Sequence, residues 1–61
     1  PGSGYDIVET VPEQNDDGTL RAPAHGSLLA IFRGPQQEHL PADTPIEPGD
    51  RLVVLIHRST N

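Results

Sequence analysis

The sequence predicts a mainly β fold, a reduced form of the α+β class, and three observations support this prediction. Apolar residues are concentrated in a few short runs. Seven Pro and six Gly punctuate the 61 residues, a composition that favours short strands and turns over long helices. No segment keeps a helical period over a useful length. We therefore expect a small sheet of about four short strands with at most one short helix.

The first predicted strand covers residues 5–11, where apolar and polar side chains mostly alternate. Pro12 ends it, because proline cannot donate a hydrogen bond to a sheet ladder. Residues 13–18 form a polar loop with an Asp-Gly turn signal. Residues 19–25 have room for one helical turn, since Pro23 prevents a longer helix.

Two continuous apolar runs predict the central strands, residues 27–33 and residues 51–57. The second run is the stronger signal, because its consecutive aliphatic residues include β-branched ones that suit a sheet interior. Residues 36–40 are predicted to be an edge strand that pairs back on the first run, with the turn near Gly34 and Pro35. The residues expected to build the core or a dimer contact are Leu28, Ile31, Phe32, Leu52, Val54 and Ile56.

The connection between these runs, residues 41–50, is rich in turn residues. Asp43 and Thr44 are expected to bond to nearby backbone amides. The sequence Pro48-Gly49 suits a type II turn, in which glycine occupies the position with positive φ. Asp50 is expected to cap backbone amides of that turn.

The continuity of the two apolar runs has a consequence for the architecture. A strand with one solvated face alternates, whereas a continuously apolar strand is normally covered on both faces. Each apolar side chain left uncovered would forfeit about 1.5–3 kcal/mol. A chain of 61 residues has enough material to cover one face of the sheet. We therefore expect the second face to meet another copy of the chain or a neighbouring domain.

The second half of the chain resembles a known family. Its motifs are an apolar strand that ends in Arg33-Gly34, a proline and an Asp-Thr pair at Pro41 and Asp43-Thr44, and a Pro-Gly-Asp turn at residues 48–50 that leads into a second apolar strand. This pattern, over residues 28–56, is similar to the C-terminal subdomain of RCK proteins, the regulators of potassium conductance, also called the TrkA-C domain.

The resemblance implies a cytoplasmic regulatory module attached to a channel or transporter subunit for potassium. In that family the subdomain commonly dimerises, and a ligand or ion bound at the dimer interface biases gating. The resemblance leaves the ligand open between cyclic di-AMP and a divalent cation. It also implies a homodimer, and because the sequence holds no catalytic constellation we expect no enzymatic activity. The predicted organisation is a linker or expression scar at residues 1–4, the domain at residues 5–57, and a polar tail at residues 58–61.

Two residues are candidates for binding a small anionic ligand. Arg33 ends the first apolar run, and its planar guanidinium matches phosphate oxygens. His25 lies just before the same run. A surface pairing of Arg33 or Arg51 with Asp43 or Asp50 is the competing interpretation, with a value of about 0–1 kcal/mol.

Composition excludes several other functions. There is no cysteine, so disulfides and thiolate metal sites are absent. Nine acidic residues against four basic ones oppose nucleic-acid binding, which needs a basic surface. No apolar run reaches the roughly 18 residues of a membrane span, and no catalytic constellation is present. The alternative function is a small β module that binds a protein or peptide through its exposed strand edge, at residues 36–40.

Overall fold

The computed structural model describes residues 4–58, which form six β-strands and no helix. The mainly β prediction is thereby confirmed. The strands are β1 (Gly4–Thr10), β2 (Glu13–Gln14), β3 (Leu20–Arg21), β4 (Ser27–Arg33), β5 (Glu38–Leu40) and β6 (Arg51–Arg58). No helix in residues 4–58 is long and apolar enough to cross a membrane. Of the predicted terminal segments, residues 1–3 and 59–61 lie outside the described residues, whereas Gly4 and Arg58 pair with each other at the ends of β1 and β6.

Four strands form an antiparallel sheet in the order β1-β6-β4-β5, which places the two apolar runs in its centre. β4 begins and ends at the predicted residues, and β5 is an edge strand as expected. Pairing of β4 with β6 is interrupted by a bulge, where Leu29 and Ala30 together oppose Val53. In this order β6 and β4 are each paired with a strand on both edges.

The helical turn for which residues 19–25 have room does not form. Leu20–Arg21 is instead a short strand, paired antiparallel with Glu13–Gln14 in a second, two-stranded sheet. Side chains hold this hairpin together, since Asp17 accepts hydrogen bonds from the Thr19 amide and hydroxyl at 3.0 and 2.6 Å. Arg21 donates to Glu13 at 3.1 Å and also to Asn15. The polar loop therefore closes a hairpin whose strands show no hydrophobic periodicity in the sequence.

The core lies on one face of the four-stranded sheet. Ile31, Leu52 and Val54 are its fully buried apolar residues. Around them pack partly buried residues from the sheet and from the segments that cross it, namely Val8, Ala22, Leu28, Leu40, Ile46 and Ile56. Of the six predicted core or dimer residues, five belong to this core, and the sixth, Phe32, points to the opposite face with its register partner Arg51.

The predicted type II turn before β6 is consistent with the observed backbone. The Asp50 amide donates to the Glu47 carbonyl at 3.1 Å, and Gly49 has a φ of 89°. The Thr44 amide likewise donates to the Pro41 carbonyl at 3.1 Å, which places Asp43 and Thr44 in a turn. The expected bonds from their own side chains to backbone amides are not found in residues 4–58, where the amides that donate to side chains are those of Thr19 and Glu47. Both turns shape the connection that carries Ile46 onto the core.

Replacing Gly49 tests the strain that this turn would impose on other residues. An alanine there has space for its Cβ, yet it must adopt the left-handed region at a cost of about 1–2 kcal/mol. We expect Gly49→Ala to lower the free energy of unfolding by that amount in urea denaturation. Gly49→Asn should cost less, because asparagine tolerates this region. Equal stability of both variants and the parent chain would contradict the turn geometry.

Candidate functional site

The two predicted ligand-binding residues lie at opposite ends of one strand. His25 is an exposed residue of the turn that precedes β4, and Arg33 is the last residue of β4. A strand rises about 3.3 Å per residue, so the seven residues of β4 keep them roughly 20 Å apart. The structure therefore does not bring His25 and Arg33 together into one site.

Arg33 is instead engaged by Asp50 at the start of β6. Its Nε donates to Asp50 Oδ1 and its Nη2 donates to Asp50 Oδ2, both at 2.8 Å. Asp50 also accepts from the Glu47 amide at 2.8 Å, and Arg33 Nη2 donates to the Pro45 carbonyl at 2.9 Å. Asp50 is only 1% exposed. We call this arrangement, made by Arg33, Asp50, Glu47 and Pro45, the turn clamp.

The electrostatics of the turn clamp differ from the sequence expectation of a weak surface pair. Hydrogen bonding from Arg33 holds the pKa of Asp50 below its ordinary value, against the opposing effect of burial, and the Glu47 amide adds to the lowering. The same hydrogen bond raises the pKa of Arg33. A bidentate pair with one buried partner costs far more to break than an exposed pair. The clamp therefore ties the end of β4 to the turn that starts β6.

Each of the four arginines is paired with a carboxylate. Arg21 pairs with Glu13, Arg33 with Asp50 and Glu47, Arg51 with Glu9, and Arg58 with Asp6. An anionic ligand would have to compete with these carboxylates for a guanidinium. Within residues 4–58 no group of three or more His, Asp or Glu side chains converges to hold a metal ion.

The face of the four-stranded sheet opposite the core carries no buried residue. Side chains directly opposite each other in the strand register share a face, and this set alternates with the core residues. We call it the open face. Its members are Tyr5, Ile7, Glu9, Ser27, Ala30, Phe32, His39, Arg51, Val53, Leu55 and His57.

The centre of the open face is apolar. Ile7 is 67% exposed and Tyr5 is 64% exposed, although both are large apolar or aromatic side chains. Val53 lies between the walls of a groove of about 330 Å³, which is lined by Ile7 on one side and by Phe32 and Gln37 on the other. A monomer rarely leaves such a contiguous apolar surface in water without a use for it.

Charge on the open face is small and balanced. Glu9 is the one acidic side chain on it, and it forms an ion pair with Arg51, whose Nε lies 2.7 Å from Glu9 Oε2. The other eight acidic residues of the chain lie on the core side of the strands, in the hairpin or in the loops. The formal charge of −5 is therefore kept away from this surface.

Two aromatic pairs flank the apolar centre. The rings of Tyr5 and His57 lie 5.1 Å apart between centroids with an interplanar angle of 51°. The rings of Phe32 and His39 lie 5.2 Å apart and are nearly parallel, at 21°. Sequence reasoning singled out neither histidine as part of a common surface. The alternation in residues 5–11 was the one available signal, because it puts Tyr5 and Ile7 on the same face.

The molecule thus has two distinct features, the apolar open face and the turn clamp. At the turn clamp the Arg33 guanidinium is already bound by a carboxylate, so it is not a free cation for an anionic ligand. We compared the chain with models of known protein families, with curated proteins and with solved structures, and none of them matches it.

Proposed function

We propose that the chain is a regulatory module that associates with a second copy of itself through the open face. In this proposal it acts as the cytoplasmic TrkA-C-like part of a potassium channel or transporter, where pairing couples ligand binding to gating. The observation that carries the proposal is the uncovered apolar face of a sheet whose other face has only three fully buried apolar residues. Self-association is a common way for so small a core to gain stability.

A surface that pairs two copies must be large enough for a stable contact. A stable interface covers about 800 Å² on each partner. The open face is the apolar surface on which such a contact can form without burying the loops.

The net charge of the chain opposes self-association, but it does not prevent a contact through the open face. Two identical chains, each with a formal charge of −5, repel one another unless their acidic residues stay apart. The open face is the surface where they can meet, because its single acidic residue, Glu9, is already neutralised by Arg51. The acidic hairpin and loops then remain in solvent.

The turn clamp gives a physical explanation for two residues of the motif that resembles the TrkA-C domain. The motif residues Arg33 and Asp50 bind each other, and the Pro48-Gly49 turn presents Asp50 to Arg33. The spacing of the motif is thus what this fold needs to join β4 to β6. A ligand, either cyclic di-AMP or a divalent cation, would then bind where two copies meet and not at Arg33 alone.

Sedimentation equilibrium of the 61-residue chain tests the pairing. We expect a dimer whose dissociation constant rises at least about tenfold in Ile7→Glu, because this change places a charge in the apolar face, and a lost apolar contact is worth about 1.5 kcal/mol or more. Ile7 is mostly exposed, so the fold of the single chain should survive. Ala42→Glu adds the same charge at an exposed loop residue and should leave the dimer intact.

A chain that remains monomeric up to about 1 mM would contradict the pairing, because a contact that weak contributes less than about 4 kcal/mol. Calorimetry with cyclic di-AMP and with Ca²⁺ tests the ligand. A true effector must also shift the monomer–dimer equilibrium, since it acts only through its differential affinity for the two states. If neither compound binds, assembly of two copies is all that remains of the proposed function.

A second candidate function rests on the edge of the sheet. β5 (Glu38–Leu40) pairs only with β4 within the described residues, so its outer backbone groups are available to an extended peptide. Binding of a peptide that leaves the dimer unchanged, and that is lost when proline replaces His39, would favour this function.

A further inference from the structure

We propose that pairing through the open face is controlled by pH, through protonation of His39 and His57. This inference rests on the proposed function, because it requires the open face to be covered by a second copy. Both histidines belong to the open face by strand register, His39 opposite Phe32 and His57 opposite Tyr5. The His39 ring stacks on Phe32 at 5.2 Å between centroids, and the His57 ring lies 5.1 Å from that of Tyr5 in a tilted arrangement.

These ring contacts determine what happens when the face is covered. A partner that packs on the exposed ring of Tyr5 and on the partly buried ring of Phe32 also covers the imidazoles that lie beside them. A neutral imidazole can be covered in this way at little cost, whereas a protonated one carries a charge that loses its hydration. Histidine is the side chain whose charge ordinarily changes between pH 5 and 8. Acidification therefore favours the separated chains.

The charged groups around the two histidines do not offer a compensating partner. His39 faces Phe32 on β4, and beyond that ring lies Arg51, whose guanidinium is held by Glu9. His57 faces Tyr5 on β1, and its neighbour along the same face of β6 is Leu55. No carboxylate of the described residues pairs with either imidazole.

Other charged groups close to the two histidines lie on the far side of the sheet. Arg58, next to His57 in sequence, pairs with Asp6 there. Glu38, next to His39, is opposite Arg33 on the core side. The remaining ionisable groups on the open face are Tyr5, Glu9 and Arg51, and side chains of these types ordinarily change charge outside the range from pH 5.5 to 7.5.

Acid has two opposing effects on the stability of the dimer, and we expect the effect of the histidines to be the larger. Lowering the pH also reduces the net negative charge of the chain, which by itself would weaken repulsion and strengthen the dimer. A buried imidazole that must stay neutral loses about tenfold in affinity for each pH unit below the ordinary histidine pKa. Each dimer contains four such imidazoles, so the local effect should dominate.

The test is sedimentation equilibrium of the 61-residue chain at pH 7.5 and pH 5.5, with circular dichroism at both values to show that the chain stays folded. We expect the dissociation constant of the parent dimer to rise at least about tenfold at pH 5.5. In the double variant His39→Gln/His57→Gln it should change less than about twofold. His25→Gln, which alters the histidine outside the sheet, should behave like the parent chain.

The outcomes separate this inference from the proposed function. A dimer that is equally strong at both pH values, or a double variant that keeps the full pH response, would overturn the histidine control and leave the pairing in place. A chain that is monomeric at pH 7.5 would overturn both.

Discussion

Asp50→Asn should lower the free energy of unfolding by about 2–3 kcal/mol, because it takes the buried carboxylate away from Arg33, whose side chain is 26% exposed. Asparagine keeps the shape of the side chain, yet it removes the negative charge of the carboxylate to which Arg33 donates two hydrogen bonds of 2.8 Å. For a domain of this size the melting temperature should fall by roughly 10–20 °C. Thermal unfolding followed by circular dichroism measures the effect.

Two further variants keep this prediction decisive if Asp50→Asn fails to fold. The double variant Arg33→Met/Asp50→Leu replaces the pair by apolar side chains and should recover much of the lost stability, since no unpaired charge remains. Asp16→Asn makes the same change of charge in the exposed hairpin loop and should be neutral. An Asp50→Asn chain as stable as the parent would show that the clamp does not hold the fold.

The same carboxylate predicts how stability depends on acid. The pKa of Asp50 is lowered in the folded chain by Arg33, so the unfolded chain takes up a proton more readily. Its contribution is therefore complete above the ordinary aspartate pKa of about 3.9 and is lost as the pH falls through the lower, folded value. Asp17, whose pKa the Thr19 hydroxyl and amide lower, acts in the same direction.

Urea denaturation below pH 5 tests this dependence. We expect the free energy of unfolding to fall with acid in the parent chain and to fall less steeply in Asp50→Asn. The slope should not vanish in the variant, because Asp17 remains. Identical slopes in the two chains would contradict the assigned role of Asp50.

Gly26→Ala should cost about 1–3 kcal/mol, the usual cost of overpacking a core, although glycine-to-alanine changes in surface positions are mild. A Cβ at this position would overlap Val54 Cγ1 and would lie 3.3 Å from both Ile56 Cγ1 and the Leu55 carbonyl oxygen. Val54 is fully buried, so it has no free space into which to move. Urea denaturation of the variant checks the loss.

The control for Gly26 is its exposed neighbour. Ala24→Val adds more volume two residues away and should change stability little. The double variant Gly26→Ala/Val54→Ala should be more stable than the sum of its single changes, because the smaller side chain makes room for the new methyl group. Additive losses would indicate that position 26 and Val54 lie farther apart than they do in the structure.

Sequence reasoning succeeded where a local pattern is strong. The run of residues 27–33 is bounded by glycines, and β4 has those same ends. The turn at Pro48 and Gly49 was also predicted, because proline fixes the φ angle of the first central turn residue. At the second, glycine adopts a φ of 89° without steric cost. Such features depend on a few adjacent residues, so the printed sequence contains all that is needed to predict them.

Other features escaped prediction because their causes are not adjacent in sequence. The hairpin of β2 and β3 consists of two strands of two residues each, too short to show a period of two. Arg33 and Asp50 are 17 residues apart, and sequence reasoning offered their pairing only as one of several surface pairs, without the burial of Asp50. Only the register of β4 with β6, in which Phe32 is opposite Arg51, brings the pair into contact.

By itself the sequence determined the class of the fold and the two central strands, because these follow from the order of apolar and turn residues along the chain. The tertiary structure alone decided which face became the core. It also decided that Arg33 would be held by Asp50 and that His39 and His57 would lie on the open face with Ile7 and Tyr5. The physical reason is that pairing register sets which side chains share a face, and a shift of one residue would exchange the two faces of a strand.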